Sequence, residues 1–345
     1  MRAVRMIRSA PFLGRASDSM RQSMLTPSRR TILQAAAALP ALGGLAAAVA
    51  EAAAAQTTRL VLLGTMGGPS VGRPRYMTSS VMLHAGKAHV CDCGYGATQQ
   101  LVRAGVKLQD IRDVFITHHH PDHNIELGTL IYFAWYAGLE APLNLYGPPP
   151  LRQITTDYLR ALKPDVDVWL EDLGRKPVGP VLVHEVSAGG PVMSGPGLSV
   201  AAAVVNHPPV VPSLGYRFDF PDRSIVFSGD TTPVESLARL AKSADVLVHE
   251  AMYMPAMKAE LAAVAGRTTG GSAIAGDRDK LWAHLMRSHS PAEGVGRIAA
   301  EAGVKTLVIY HQVPITGVTD AQWIEAVRKG GYRGRIVVGK DLMVI

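Results

Sequence analysis

Residues 117–123 read Thr-His-His-His-Pro-Asp-His and hold four side chains able to ligate a metal, His118, His120, Asp122 and His123, in the pattern H-x-H-x-D-H. The run before them, Asp113-Val-Phe-Ile-Thr, is apolar and β-branched, which predicts a buried strand. Pro121 interrupts regular helix or sheet, so the ligands are expected on a tight loop at that strand's C-terminal end. Imidazole nitrogens combined with a carboxylate oxygen suit zinc better than calcium or magnesium, which prefer all-oxygen shells.

One tight loop supplies too few donors for two metals, and further ligand types stand where other apolar runs stop. Asn206-His207-Pro208 follows Leu198–Val205, Ser228-Gly229-Asp230-Thr231 follows Ser224–Phe227, and Tyr310-His311-Gln312 follows Thr306–Ile309. A single His or Asp in such a place is commonly a cap or turn residue; the recurrence at four strand ends points to a shared site. Strands are expected over Arg59–Gly64, Ser79–His84, Ala88–Asp92, Val114–Ile116, Leu143–Tyr146, Val246–His249, Thr306–Tyr310 and Arg335–Val338, with an antiparallel run over 165–230. Helices are expected over Thr98–Ala104, Ile125–Gly138, Leu151–Leu162, Pro233–Ala241, Pro291–Ala302 and Asp320–Lys329. Helices fall between strands in both halves, which predicts an α/β protein of two sheets packed face to face with helices outside, an αββα four-layer sandwich.

The chain resembles the metallo-β-lactamase superfamily, and within it the ribonuclease Z-like and arylsulfatase-like branch. The resemblance spans about residues 59–312 and rests on Leu63-Gly64-Thr65, Asp92-Cys93-Gly94-Tyr95-Gly96, the Thr117–His123 loop, Phe227-Ser228-Gly229-Asp230-Thr231 and Val248-His249-Glu250-Ala251. It implies that His118, His120 and His207 hold one zinc, that Asp122, His123 and His311 hold the other, and that Asp230 bridges them; manganese or iron fits the same donors. A metal pair lowers the pKa of a water held between the ions, supplying hydroxide near neutral pH. Asp122 can then orient the nucleophile and take its proton. The resemblance also implies that Glu250 and His289 form a pair that donates a proton to the leaving group, as a protonated imidazole is suited to do. His119 is expected to point away from the metals, and His249 to have a supporting or structural place.

The 345 residues are 48% hydrophobic and 18% charged, enough for one large domain. Ser28-Arg29-Arg30-Thr31-Ile32-Leu33-Gln34, a mild apolar run over 35–50 and small residues at 52–55 predict a twin-arginine export signal over residues 1–55. Residues 56–345 would then form the hydrolase domain, periplasmic or extracellular, with no membrane span after signal removal. Residues 1–55 carry seven arginines, one Asp and one Glu, a net of +5; taken from the chain's +7, this leaves +2 for the remainder. The basicity therefore does not indicate a nucleic-acid-binding surface. Cys91 and Cys93 are expected to be buried small side chains on one face of a strand, without a disulfide.

Ribonuclease Z usually carries a long arm that grips transfer RNA, in many bacterial members between the positions matching His207 and the bridging Asp. Here that interval is only Pro208 to Gly229, with Arg217 and Arg223 as its basic residues. Pro121 stands where ribonuclease Z commonly has Gly, and Met252 where it has Thr. These departures, with the export signal, favour a small phosphodiester or aryl sulfate ester as substrate, with no nucleic acid, on a chain whose relatives often form homodimers. The segment Met252–Arg287, with Tyr253, Met254, Met257, Trp282 and Met286 around Thr268–Gly276, is expected to be a lid. Its apolar residues, or Tyr132, Phe133, Trp135 and Tyr136, would wall an aromatic leaving group. Alternative readings are β-lactam or lactone ring hydrolysis, ribonuclease Z-type RNA 3′ processing, and a non-catalytic metal-binding protein.

Overall fold

The computed structural model describes residues 57–71, 73–263, 278–314 and 316–345. The expected export signal and the Thr268–Gly276 stretch lie outside the described residues. No helix among the described residues is long and apolar enough to cross a membrane.

Leu60 and Leu62 face one way and Val61 and Leu63 the other, and both sets are buried. Strands with this continuous apolar character are covered on both faces, and the architecture follows from it. Within the described residues the strands form two seven-stranded sheets. The first contains β1 (Arg59–Gly64), β2 (Ser79–His84), β3 (Lys87–Cys93), β4 (Ile111–Phe115), β5 (Leu143–Gly147), β6 (Val181–Glu185) and β14 (Met343–Val344), in the order β14-β1-β2-β3-β4-β5-β6. The second contains β7 (Gly190–Gly195), β8 (Leu198–His207), β9 (Val210–Asp219), β10 (Ser224–Phe227), β11 (Val246–Met252), β12 (Thr306–Val313) and β13 (Arg335–Val338), in the order β13-β12-β11-β10-β9-β8-β7. Each sheet has a parallel half, β3 to β6 in one and β10 to β13 in the other.

Three apolar layers separate four structural layers. Phe115, Tyr216, Phe218, Phe227, Val248 and Tyr310 fill the space between the sheets. Outside the first sheet, Val114, Ile116 and Leu145 pack against α1 (Ala97–Arg103) and α3 (Leu127–Tyr136). Outside the second, Leu247, Leu307 and Ile309 pack against α5 (Glu235–Leu240), α8 (Ala292–Ala302) and α9 (Asp320–Lys329). This is the expected αββα sandwich.

Several local expectations are revised. Pro121 opens a one-turn helix, α2 (Pro121–Asn124), instead of blocking one; at the first helical position its missing N–H and fixed φ cost nothing. The helix expected to stop at Leu162 runs on through Pro164 as α4 (Leu151–Leu173), so the antiparallel run begins only at β7. Cys91 and Cys93 lie on opposite faces, one between the sheets and one toward α1. The cause is a bulge: Ser80 pairs with Cys91 but Ser79 with Cys93, and Asp92 between them has φ +58°. The expected lid contains two helices, α6 (Met254–Ala263) and α7 (Arg278–Ser288), joined by residues outside the description.

Candidate metal centre

The parallel halves of both sheets end on one side, and the chemistry collects there. β4 leads into the histidine loop, His207 ends β8, Asp230 lies just past β10, Glu250 is on β11 and His311 on β12. All seven sequence-identified ligand residues converge. His118, His120, His207 and Asp230 each offer an atom within 4.8 Å of the others, and so do Asp122, His123, Asp230 and His311, with Asp230 common to both groups. His118 Nε2 and His207 Nε2 each approach His120 Nδ1 to 3.1 Å. In the second group, His311 Nε2 lies 3.3 Å from Asp122 Oδ2 and 3.1 Å from Asp230 Oδ2.

The donor set fits a pair of cations. His123 Nε2 and Asp230 Oδ1 are buried with no hydrogen-bond partner, 3.3 Å apart, an arrangement whose desolvation cost needs a compensating charge. Burial pushes His118, His120 and His207 below the usual imidazole range, which holds them neutral. Burial also opposes charge on His123 and His311, but Asp230 raises both, helped by Asp92 and Asp122 at His123 and by Asp122 at His311, which reaches about 10. Burial would raise Asp122 and Asp230 too; His123 and His311 outweigh it, holding Asp122 at about 2 and Asp230 well below the carboxylate range. The two carboxylates thus favour positive charge on His123 and His311. A cation would fill the same electrostatic need.

The ligands are held by a second layer that the sequence reading did not single out. Asp92, placed by its left-handed backbone, accepts from Thr117 N, Thr117 Oγ1 and His123 Nδ1, the last at 2.8 Å. Gly68 N donates to Asp122 Oδ2 at 2.8 Å, and His207 Nδ1 donates to the Ser288 carbonyl at the end of α7 at 2.8 Å. An acidic residue at the C-terminal end of a strand that lies beside the histidine loop was the available signal for Asp92. His311, with φ +41°, sits in a second bulge, between Glu250 and Ala251 on its neighbour β11.

Glu250 and His289 are paired, His289 Nδ1 lying 3.1 and 3.0 Å from the two carboxylate oxygens. Glu250 Oε1 also accepts from Thr231 N at 2.7 Å. Burial would lower His289, but Glu250 outweighs it and raises the imidazole. His119 turns away from the cluster, to the Pro148 carbonyl and Asn124. His249 is buried and donates from Nδ1 to the Glu250 carbonyl.

A cavity of about 290 Å³ opens onto Asp122, Asp230, His289 and His311. Its walls are Gly67 to Ser70 on one segment and Met257, Leu281, His284 and Leu285 on α6 and α7. Met254 on α6 and Trp282 on α7 pack instead against Met252, Met257, Leu261 and Leu285. The other proposed wall is not there: Tyr136, Trp135 and Trp169 gather around the Arg175 guanidinium, and Tyr132 donates to Asp165.

A family model described as a beta-lactamase superfamily domain matches residues 89–312. The ribonuclease Z of Mycobacterium bovis is 32% identical over 289 residues, covering 82% of this chain and 96% of the relative. Among solved structures, the short form of human tRNase Z superposes with a TM-score of 0.59 at 21% identity, covering 83% of this chain and 98% of that one. The metallo-beta-lactamase fold protein YhfI of Bacillus subtilis gives 0.59 at 19%, covering 84% and 98%. The mycobacterial likeness overturns the expected small anionic ester with no nucleic acid. That expectation rested on the missing arm, the Pro121 and Met252 departures, the export signal and the near-neutral charge outside it, yet a ribonuclease Z aligns over nearly its whole length with a chain in which only a tight turn joins β8 to β9. The chain belongs to the beta-lactamase superfamily and has the metallo-β-lactamase fold, with ribonucleases Z among its relatives.

Proposed function

We propose that this protein is a dinuclear zinc phosphodiesterase that cleaves RNA, with ribonuclease Z-type 3′ processing as its reaction. The observation that carries the reading is the 32% identity over 96% of a ribonuclease Z, joined to the two donor groups that share Asp230. When bound, the two ions supply Lewis acidity and activate water at neutral pH. The chain's own residues do the remainder. Asp122, fixed by the Gly68 N–H, takes the proton of the attacking water. His289, whose protonated form the paired Glu250 favours, donates to the leaving ribose oxygen. Because most donors are neutral imidazoles, two bound divalent ions would leave the site net positive, which favours a phosphate.

The test is cleavage of a precursor transfer RNA bearing a 3′ trailer by zinc-loaded protein. Wild type is expected to release the trailer, and Asp122→Ala to be slower by at least about 10²-fold. Wild type that leaves the precursor intact while holding two zinc ions would sink the reading. Residues 1–55 are separately proposed as a twin-arginine leader, supported by the Arg29-Arg30 pair and the small residues at 52–55. Cell fractionation decides this, and with it which RNA pool the enzyme meets; the uncleaved chain in the cytoplasm alone would refute it.

A further inference from the structure

Arg73 and Glu260 are 187 positions apart and both line the cavity at the metal ligands, where Arg73 Nη2 and Glu260 Oε1 meet at 3.3 Å. Arg73 belongs to the segment after the Gly67–Ser70 wall, and Glu260 to helix α6. Among the described residues, Arg73 is the single lysine or arginine in the cavity wall. Its neighbour Arg75 has a structural task, donating to Gln312 Oε1 at 2.7 Å and to Thr65 Oγ1 and the Gly339 carbonyl at 3.3 Å. Among the described residues, the side-chain hydrogen bond of Arg73 is the one to Glu260.

The pair is partly solvated, the two side chains being 32% and 29% exposed. Pairs of this kind are weak because water screens them and long side chains must be held in place. A guanidinium binds a phosphate with two parallel N–H···O bonds, a stronger arrangement. An anionic strand entering the cavity therefore meets a guanidinium already occupied by a carboxylate, and a carboxylate that repels it.

We infer that Glu260 is a specificity-determining residue: it holds Arg73 in the free enzyme, and a substrate phosphate takes Arg73 from it on binding. This rests on the RNA phosphodiesterase reading and names the contact that sets its affinity. A neutral ligand has nothing to offer Arg73 and leaves the pair closed. A ligand with a phosphate gains the guanidinium but must displace Glu260, so the pair lowers affinity for every anion that engages Arg73 and leaves neutral ligands unaffected.

The experiment measures binding of two probes to the full-length, zinc-loaded protein: a fluorescent single-stranded oligoribonucleotide by anisotropy, and inorganic phosphate by calorimetry. Glu260→Gln is expected to bind both about two- to fivefold tighter than wild type. Arg73→Ala is expected to bind more weakly and to reduce the salt slope for the oligonucleotide by about 0.7. In the double variant the gain from Glu260→Gln should vanish. Arg73→Lys, which keeps the charge, should retain most of the salt slope and so separates a contact from a folding defect. The inference is overturned if Glu260→Gln, at an unchanged thermal midpoint, binds neither probe more tightly, or if its gain survives in the Arg73→Ala background. If wild type ignores the oligonucleotide but phosphate follows the expected pattern, the RNA reading fails and the role of the pair stands.

Discussion

His123 is aimed by a residue thirty-one positions earlier in the chain. Asp92 Oδ2 accepts from His123 Nδ1, which fixes the tautomer and presents Nε2 to Asp122 and Asp230. A carboxylate behind a metal-binding imidazole typically accounts for 10- to 100-fold in affinity. Asp92→Ala is therefore expected to weaken zinc binding by about that factor, measured by competition with a chelating dye, and unchanged affinity would refute the role. A second carboxylate, Asp245, tests the electrostatics away from the site. Lys305 Nζ lies 2.7 Å from Asp245 Oδ1, and Ser224 donates to Oδ2 from both N and Oγ, which together hold the carboxyl at about 2. Because its folded pKa is depressed, its stabilisation is full above the unfolded value of about 4 and is lost as pH falls toward 2. Asp245→Asn should be less stable than wild type at pH 7 by roughly 1 kcal/mol or less, since the group is partly exposed. The gap in denaturant midpoint should close between about pH 4 and pH 2; a gap that persists at pH 2 would show another cause.

At the level of elements, the site depends on how closely loops approach one another. A Cβ on Gly94, just after β3, would stand 2.2 Å from the Asp122 carbonyl oxygen and 2.7 Å from Met77 Cβ. The one-turn α2 carries Asp122 and His123 and cannot retreat without moving them, and Met77 is buried. Gly94→Ala is expected to cost roughly 1–3 kcal/mol and to reduce zinc stoichiometry below two, read by denaturation and by metal analysis; a stable variant with full zinc would refute the close approach. Elements with a strong local signal, the apolar runs of β1 and β2 and the periodic faces of α8 and α9, are legible in the sequence. The one-turn helix at Pro121 and the continuation of α4 through Pro164 are not, because proline's penalty depends on where in the helix it falls and on what covers the freed carbonyl.

Across the whole molecule, the centre is where the two sheets are tied together. His118, His120, Asp122 and His123 come from the end of the first sheet, and His207, Asp230 and His311 from the second. Donors drawn from both halves would make metal binding part of the folding free energy. Removing zinc with a chelator is expected to lower the thermal midpoint, and zinc at a thousandfold above its dissociation constant to restore about 4 kcal/mol. A midpoint indifferent to zinc would mean that the cluster is not a metal site.

What the sequence determined by itself was whatever short-range pattern records: alternation and β-branching mark the strands, and ligand-type residues where strands stop mark the metal centre. The tertiary structure alone decided the rest. It set the bulge that parts Cys91 from Cys93 and turns Asp92 to His123, the Ser288 carbonyl behind His207 across 81 positions, and the Arg73–Glu260 pair across 187. These are contacts between segments with no local pattern in common, and only the packing of two sheets brings them within reach.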